Sequence, residues 1–489
     1  MRLFTYMTYM HKAKRSGQPG AILATLLIVS SAAAMILGAI IVWAGANVKL
    51  VRQQRERELA LHVAEAGVNY YRWHLAHAPT DYKNGTNQNG PYVIPYYDKD
   101  GVKVGTYTLT ITPPVTGSTV VTVESVGSLV TSSSSRAVRV KLAIPSIAKY
   151  AIVADANMRF GEGTVVNGLL HSNGGIRFDG TAYNLVTSAR STYTDTDSDA
   201  CTSNSWAVHT CLGTNDPAPN TALPIRSDVF TAGRQFPIPE VDFVGLTSDL
   251  AQMKTLAQSN GRYLASSGSQ GYRIVFRTDD KFDLYRVTSV TSASASCRNN
   301  SNSGAVGWGT WTISNGGGNG TFMATYNLPA NGIIFVEDNV WVDGTINTAR
   351  VTLVAARFPL SSNPPAITLN KDLRYTNLNG QDVIGLIAQG NINAGLSSAS
   401  VMRIDAALIS QNGRIGRYHY ASQCGAGYVR NDLVLYGMLA TNERYGFAYT
   451  DNTGYTNRII NYDPHLLYAP PPSFPLTSDH YELISWEEL

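Results

Sequence analysis

Five aspartates in the second half of the chain are of the residue type that could cleave a polysaccharide. They are Asp338, Asp343, Asp372, Asp382 and Asp405. Two carboxyl groups can divide the acid and base work at a glycosidic bond when they lie close together. Nothing in their spacing brings them together, and aspartate is equally common in tight turns. No GxSxG, HExxH or phosphate-loop motif is present. We predict that the protein is not an enzyme; the alternative is an anchored, polysaccharide-active β-helix enzyme.

A second candidate site is the acidic string TDTDSDA. It places Asp195, Asp197 and Asp199 at alternate positions, like the start of a calcium-binding loop. The match then fails, because Ala200 stands where glycine makes the turn and Trp206 stands where a glutamate binds the ion. We interpret the string as a solvated acidic loop, and we predict no metal site and no cofactor.

The four cysteines carry the third kind of chemistry. Cys201 and Cys211 lie ten residues apart in a polar loop, a spacing that a local disulfide can close, and Cys297 and Cys424 could form a second pair. Buried free thiols are the alternative. A zinc site is not expected, because no CxxC occurs and His209 is the only histidine near a cysteine in sequence. Two disulfides would place this part of the chain in an oxidising compartment.

Composition limits the class of protein. A chain of 489 residues is long enough for two or three domains. Only 15% of the residues are charged, and the formal net charge is +3, so no strong positive field is available to attract nucleic acid. We therefore expect no nucleic-acid partner, and a β-rich exported protein fits this composition.

The element that must position everything else is the apolar stretch at residues 21–46. It contains no charged residue. As a helix it would be about 39 Å long, compared with about 30 Å for the core of a bilayer. The apolar run continues into a polar, helix-forming stretch that lasts until Pro79. We predict one long helix over residues 21–78, apolar in its first half and amphipathic in its second.

The side of the membrane on which the body lies is not set by charge. Lysines and arginines flank the apolar stretch on both sides in nearly equal number, so the positive-inside rule does not decide. The short leader and the cysteine-bearing, Ser/Thr/Asn-rich body favour an N-terminus inside and a body outside. We predict a membrane-anchored protein with an extracytoplasmic body, at the cell surface or in a pilus.

The first 20 residues, MRLFTYMTYMHKAKRSGQPG, are a basic leader ending in glycine. A basic leader, a glycine and then a long apolar helix resemble a type IV pilin signal, which is cut after the glycine. The resemblance implies processing between Gly20 and Ala21. An uncut signal anchor is the alternative.

The string HVAEAGVNYYRWHLA follows the apolar stretch. It resembles the minor-pilin family in which an AEAG motif follows the membrane helix, with Glu65 and Gly67 at the matching positions. The resemblance implies a pilus assembly or surface protein, with the membrane and other pilins as partners through this helix, and with surfaces or glycans as further ligands. A plain amphipathic stalk, with its charged residues solvated, is the alternative.

The rest of the chain has the short, alternating apolar runs of strands. We predict a mainly β fold with a long N-terminal α-helix: a small antiparallel sheet, then a β-solenoid (parallel β-helix-like) body with an inserted α+β region. The predicted segments are the antiparallel domain at 80–145, the solenoid at 150–183 plus 331–446, the insertion at 184–330, and an extended C-terminal cap at 447–489. In the solenoid, apolar runs start about 16–20 residues apart.

Two further interpretations concern this body. The runs DVIGLIAQGNI, IDAALIS and NYDPHLLYAPPPSFP resemble the C-terminal part of uncharacterised pilus-associated surface proteins. His171 and Asn173 read as residues of a solenoid corner, where asparagine accepts left-handed backbone angles. A β-sandwich built from the same strands is the alternative architecture.

Overall fold

A long helix and a mainly β body make up the protein in the computed structural model. It describes residues 19–243, 250–291, 297, 320–359, 362–477 and 480–489. The leader at residues 1–18 lies outside this described part. The helix α1 (Pro19–His77) has 59 residues, with proline at its first position, where no backbone N–H is needed. A small antiparallel sheet and an extensive parallel sheet follow, so the predicted fold class is confirmed.

The strands after α1 fall into groups along the chain. The first group is β1 (Tyr92–Tyr97), β2 (Lys103–Thr112), β3 (Val121–Leu129) and β4 (Ser135–Ala143). The second group is β5 (Ile152–Ala154), β6 (Met158–Phe160), β7 (Thr164–Asn167), β8 (Leu170–Ser172), β9 (Ile176–Phe178), β10 (Thr181–Ala182), β11 (Val186–Ser188), β12 (Thr192–Thr194), β13 (Asn204–Trp206), β14 (Val208–His209) and β15 (Arg234–Gln235). A second helix, α2 (Leu250–Asn260), comes next.

The remaining strands continue to the end of the chain. They are β16 (Arg262–Leu264), β17 (Gly271–Phe276), β18 (Lys281–Val287), β19 (Thr321–Asn327), β20 (Ile333–Val336), β21 (Val340–Ile346), β22 (Arg350–Ala355), β23 (Ile367–Thr368), β24 (Leu373–Tyr375), β25 (Val383–Ala388), β26 (Ile392–Ala394), β27 (Val401–Ser410), β28 (Ile415–Arg417), β29 (Val429–Thr441), β30 (Gly454–Tyr462) and β31 (Glu482–Glu488). Short 3₁₀ turns occupy Ile147–Lys149, Ser422–Cys424, Ala426–Tyr428 and Pro464–Leu467.

The small sheet is antiparallel in the order β1-β2-β3-β4-β31. Its three middle strands were expected from their alternation, and β3 indeed buries every second residue along much of its length. The two edge strands were not expected. β1 lies in a stretch interpreted as loop because of its Asn, Gly and Pro, and Pro95 fits an edge strand, which needs fewer backbone donors. β31 comes from the far end of the chain.

The large sheet pairs its strands in parallel, apart from the antiparallel run β17-β18-β19. One series of parallel pairs runs β16-β20-β22-β25-β27-β29-β5-β8-β11-β15. Strands in its middle, such as β25 with sequence VIGLIA, are buried at every position, which is typical of a parallel sheet covered on both faces. The two stretches at 150–183 and 331–446 thus join one stack where β29 pairs with β5.

The repeat of 16–20 residues was too uniform. Ile333 pairs with Thr352, an offset of 19 residues, but Arg350 pairs with Val383, an offset of 33. The apolar run at Ile367 does not follow β22 in that series; it pairs with β21 and β26 instead. Consecutive apolar runs therefore belong to different series of pairs, and sequence spacing alone could not separate them.

The segment predicted as an extended C-terminal cap has a different structure. Its first part, β30, is an internal strand between β29 and β7, and its last part, β31, extends the small sheet. Only the proline-rich middle runs along the parallel strands: Arg350 donates to the carbonyls of Ala469 and Pro470, and Thr352 donates to the carbonyl of Pro472. Three prolines in a row cannot donate to a strand ladder, which explains this interruption.

Candidate functional site

The helix α1 has two halves with opposite environments. From Ala21 to Ala46 every described side chain is exposed, including Ile28 at 66% and Trp43 at 67%. The helix is long and apolar enough to cross a membrane, and its most apolar window is not buried at all by the rest of the protein. Apolar side chains lie all round it, whereas a helix that packs on a soluble core has only one apolar face. This half therefore presents a surface that nothing in the chain covers.

The second half of α1 packs on the small sheet. Its buried residues are Ala60, Val63, Ala64, Val68, Tyr71 and Leu75, which recur at intervals of three and four. They join one hydrophobic cluster with residues of β2, β3 and β4, among them Leu109, Val123 and Val140. The packing holds the helix at a fixed place on the sheet, so the exposed half projects from a rigid base.

Gly67 of the AEAG string lies against the sheet. A Cβ atom at this position would be 2.4 Å from Ser125 Oγ and 2.8 Å from a ring carbon of Tyr107. One turn away, Gly127 of β3 faces the helix backbone, and a Cβ there would be 2.1 Å from the carbonyl oxygen of Ala60. Both glycines permit a close approach of helix and strand. The sequence indicated Gly67 but not its partner Gly127.

Glu65 of the same string points away from the sheet. Its carboxylate accepts a hydrogen bond from His62 Nδ1 at 3.2 Å, and its side chain is 39% exposed. The carboxylate is therefore accessible at the side of α1, near the place where the exposed half begins. Ala21, at the predicted processing point, is exposed within α1, and Gly20 lies in the same helix.

A carboxylate network secures the C-terminal end of α1. Asp81 accepts backbone hydrogen bonds from Lys83 and Gly85, and it contacts His74 Nε2 at 3.0 Å. These donors, with the Lys83 N–H first, lower the pKa of Asp81. Tyr71 donates its hydroxyl to the Asp81 carbonyl at 3.1 Å, and burial raises the pKa of Tyr71. The last turn is thus tied to the loop that follows it.

The acidic loop is not solvated. Asp197 accepts two hydrogen bonds from Arg444, at 2.7 and 2.8 Å, and Asp199 accepts two from Arg159, at 2.5 Å each. These guanidinium groups lower the pKa of both carboxyls, the bond from Arg444 being the main cause at Asp197 and that from Arg159 at Asp199. A calcium ion would have to displace both arginines, so the charges of this loop are already balanced within the chain.

Asp197 and Arg444 lie 247 residues apart in sequence. They line one side of a groove of about 1000 Å³ between the acidic loop and the loops that flank β30. Arg458, also in the groove, donates to backbone carbonyls and to Thr164 rather than to a carboxylate. No local motif could have revealed these partners, because they come together only when the two parts of the stack meet.

The cysteines are joined as Cys201–Cys211 and Cys297–Cys424. The first disulfide closes the loop that carries the acidic string. His209 lies beside it, 99% buried, and burial lowers the pKa of its ring. His171 is a second buried histidine: it contacts Thr187 Oγ1 and Asn173 Oδ1 through its two ring nitrogens, and burial lowers its pKa as well. The pair His171 and Asn173 thus holds neighbouring turns together.

The five aspartates considered for catalysis each hold part of the chain in place. Asp343 accepts two bonds from Arg273, both at 2.9 Å, and Asp338 accepts one from the Ser267 N–H at 2.9 Å. Asp382 accepts from the N–H groups of Ala349 and Asn377, and Asp372 from that of Arg403.

The last of the five, Asp405, is fully buried. It accepts from Arg403 Nε at 2.7 Å and from the Tyr375 N–H at 3.0 Å. Burial raises the pKa of Asp405 despite these donors. A raised pKa in a carboxyl group is what a general acid needs, but this group has no access to solvent. Its position fits a role in fixing neighbouring strands.

Comparison with known proteins adds little to this geometry. No protein-family model matches the sequence, and no curated protein matches it. Among solved structures, the competence-associated pilin ComZ from Thermus thermophilus is similar, with a TM-score of 0.30 and 15% sequence identity, over 89% of this chain and 98% of that chain. A TM-score at this level does not establish a shared fold.

Proposed function

We propose that this chain is a pilus-associated surface protein of the minor-pilin kind, inserted through α1 and displaying its β-rich body outside the cell. One observation carries the proposal: the first half of α1 is apolar on all sides, wholly exposed, and continuous with a second half that is anchored in a folded domain. Such a rod must be covered by lipid or by neighbouring helices. In a filament of pilins the same surface serves both purposes, first in the membrane and then in the helical bundle.

The size of the exposed surface supports insertion rather than a free state. Large apolar side chains along the rod, among them Leu26, Ile36 and Val42, are each between 61% and 73% exposed. Removing apolar area from water contributes about 25 cal/mol per Å², so covering many such side chains stabilises the inserted state strongly. Soluble monomers rarely present a continuous apolar surface of this extent.

Charged residues begin immediately beyond the rod. Lys49, Arg52 and Arg55 lie on exposed turns of α1, and Arg52 pairs with Glu56 at 3.2 Å. Long basic side chains suit the polar boundary of a bilayer, where their stems lie on apolar surface and their charges reach water. The folded sheet starts at Ala60, so the body would lie just outside this boundary.

The body supports a role in display rather than catalysis. The aspartates that resemble catalytic carboxylates are engaged with donors of the chain itself, and Asp405 and Asp382 are fully buried. Contacts with other pilins, with a surface or with glycans would then involve the outer face of the body. A few aromatic side chains there, such as Tyr183 at 56% and Trp486 at 47% exposed, are free to stack on sugars.

Two measurements test the proposal. Filaments sheared from cells that produce the full chain should contain it, detected by an antibody against the body, and mass spectrometry of the mature chain should give an N-terminus at Ala21. Retention of all the protein in the membrane after shearing, together with an intact Met1, would replace the filament role by that of an uncut anchor. Recovery of the protein only from the soluble fraction would contradict insertion altogether.

A further inference from the structure

The loop closed by Cys201–Cys211 contains a set of donor atoms that the disulfide does not explain. One ligand atom each from Cys201, His209 and Cys211 lies within 4.8 Å of the others. Atoms bound to one zinc ion at about 2.0–2.3 Å are separated by no more than this. The sequence showed a histidine near the cysteines, but not that its ring lies against both sulfur atoms.

Two buried polar atoms next to this set have no hydrogen-bond partner. They are His209 Nε2 and Asp195 Oδ2, which lie 3.6 Å apart, with side chains only 2% and 4% exposed. Leaving a buried donor or acceptor unsatisfied costs about 1–3 kcal/mol, and more for a charged group. Orphaned atoms are rare in folded proteins, and two that face one another beside two sulfur atoms point to a missing partner.

We propose that reduction of Cys201–Cys211 converts this loop into a binding site for a zinc-class divalent cation. The ligands are the two thiolates and a ring nitrogen of His209, with the Asp195 carboxylate as the fourth ligand. Thiolate and imidazole donors select ions of this class over magnesium or calcium. The site is exclusive of the disulfide, so the loop has either a covalent or a metal cross-link.

The chemistry of the conversion is balanced by a thiol or phosphine reductant. Two electrons and two protons convert the S–S bond into two thiols, while the reductant becomes a disulfide or a phosphine oxide. Binding of the cation then displaces both thiol protons. Two thiolates, one carboxylate and one divalent cation leave a net charge of −1. The guanidinium of Arg177, whose Nη1 lies 3.9 Å from Asp195 Oδ2, compensates that charge.

Other contacts keep the ligands in place when the disulfide opens. The Cys211 N–H donates to Asp179 at 2.7 Å, and His209 belongs to β14, which pairs with β9. On the other side, Asp197 and Asp199 fix the acidic loop through their arginines. Tyr193 contacts His209 Nδ1 at 3.4 Å and orients the ring, as partners of metal-binding histidines commonly do.

The test uses the full chain in detergent, with Cys297 and Cys424 both changed to serine so that only one disulfide can be reduced. After treatment with a phosphine reductant under argon, the chain is titrated with cobalt(II). We expect a thiolate-to-cobalt charge-transfer band and the visible bands of a tetrahedral ion, with one cobalt bound per chain and displacement by zinc. The oxidised chain should show none of these bands. A reduced chain that remains folded by circular dichroism and binds no cobalt would overturn the proposal, and so would a reduced chain that unfolds.

Variants identify the ligands. His209→Gln should abolish the tetrahedral bands, and Asp195→Asn should weaken cobalt binding by about 10–100-fold, the range typical for partners of metal ligands. His171→Gln is the matched control, because His171 is equally buried but has both ring nitrogens engaged. Cobalt binding that is unchanged in His209→Gln, or that falls as much in His171→Gln, would show that the proposed ligands are wrong.

Discussion

Gly67 of the helix α1 faces Ser125 of β3 so closely that a Cβ atom on the glycine would lie 2.4 Å from the serine Oγ. The contact lies in the string that resembles a pilin motif, and it gives that string a physical role: it sets the distance between the helix and the sheet. The motif glycine is thus explained by packing in this chain, whatever the helix contacts outside it.

Gly67→Ala should therefore lower the free energy of unfolding of the small sheet by about 1–3 kcal/mol, the usual cost of overpacking. Gly127→Ala should cost more, because the clashing atoms there belong to the backbone of Ala60 and Ala64 and cannot rotate away. Denaturant unfolding of the full chain in detergent measures both. The matched control is Gly45→Ala in the exposed half, which has no neighbour within 4 Å and should be neutral or slightly stabilising. Equal stability of all three variants would contradict the close approach.

The pairing of Asp197 with Arg444 predicts a dependence of stability on pH. The pKa of Asp197 is lower in the folded chain than its ordinary value of 3.8, so the carboxylate stabilises the fold above about pH 4. This contribution is lost as the pH falls through the folded-state pKa. Asp197→Asn should cost about 1–3 kcal/mol at pH 7, the range for hydrogen bonds to a charged group, and should lose less stability between pH 6 and pH 3 than the parent chain.

Thermal unfolding at the two pH values measures this difference. Asp100→Asn serves as the control, because that exposed residue pairs only with its neighbour Lys99. If Asp197→Asn and the parent chain lost stability in parallel as the pH fell, Arg444 would not be stabilising the charged form.

A lysine in the apolar rod should weaken membrane insertion. Ile28→Lys places a charge in the middle of the exposed half of α1, where insertion scales give a cost of about 2.5–3.5 kcal/mol. The fraction of protein recovered with membranes after alkaline washing should fall. Ile225→Lys is the matched control: Ile225 is 92% exposed, but it lies in a loop of the body. A similar effect of both lysines would show that the rod is not what holds the protein.

Arg350 joins three parts of the chain in the parallel body. Its guanidinium donates to the carbonyls of Thr116, Gly380, Ala469 and Pro470, and its burial lowers its pKa. Lysine has the charge but lacks the planar fork, so Arg350→Lys should destabilise the fold by about 2–4 kcal/mol and expose the proline-rich segment to proteases. Limited proteolysis compared with Arg374→Lys, whose side chain is 45% exposed and pairs only with Asp372 among its ion pairs, measures the effect.

The two disulfides should differ in their contribution to stability. Cys297–Cys424 closes a loop of 127 residues and Cys201–Cys211 a loop of 10. The chain-entropy model gives about 5 kcal/mol for the longer loop and about 3 kcal/mol for the shorter one. Replacing each pair by serines and measuring unfolding in denaturant should give this order. The reverse order would mean that the ends of the long loop stay together without the bond.

The helix and the middle strands of the small sheet could be predicted because their patterns are local. Charge-free residues in succession, or apolar residues at every second position, are visible in a short window. The edge strands could not be predicted that way: β31 reads ELISWEE, and its place beside β4 depends on a chain reversal across more than 300 residues. The acidic loop failed for the same reason, because Arg444 is remote in sequence. The metal argument likewise considered spacing along the chain, whereas His209 reaches the sulfur atoms through the fold.

The pairing of β29 with β5, and of β31 with β4, has a consequence for the order in which the molecule can form. Ile152 obtains its neighbour Leu439 only after nearly 300 further residues have been delivered, and Val140 waits longer still for Trp486. During export, therefore, both sheets keep an unfilled edge until the final segments arrive. A chain shortened by a few dozen residues at its C-terminus would leave those edges open to other chains, so secretion of the whole polypeptide and completion of its fold become a single event.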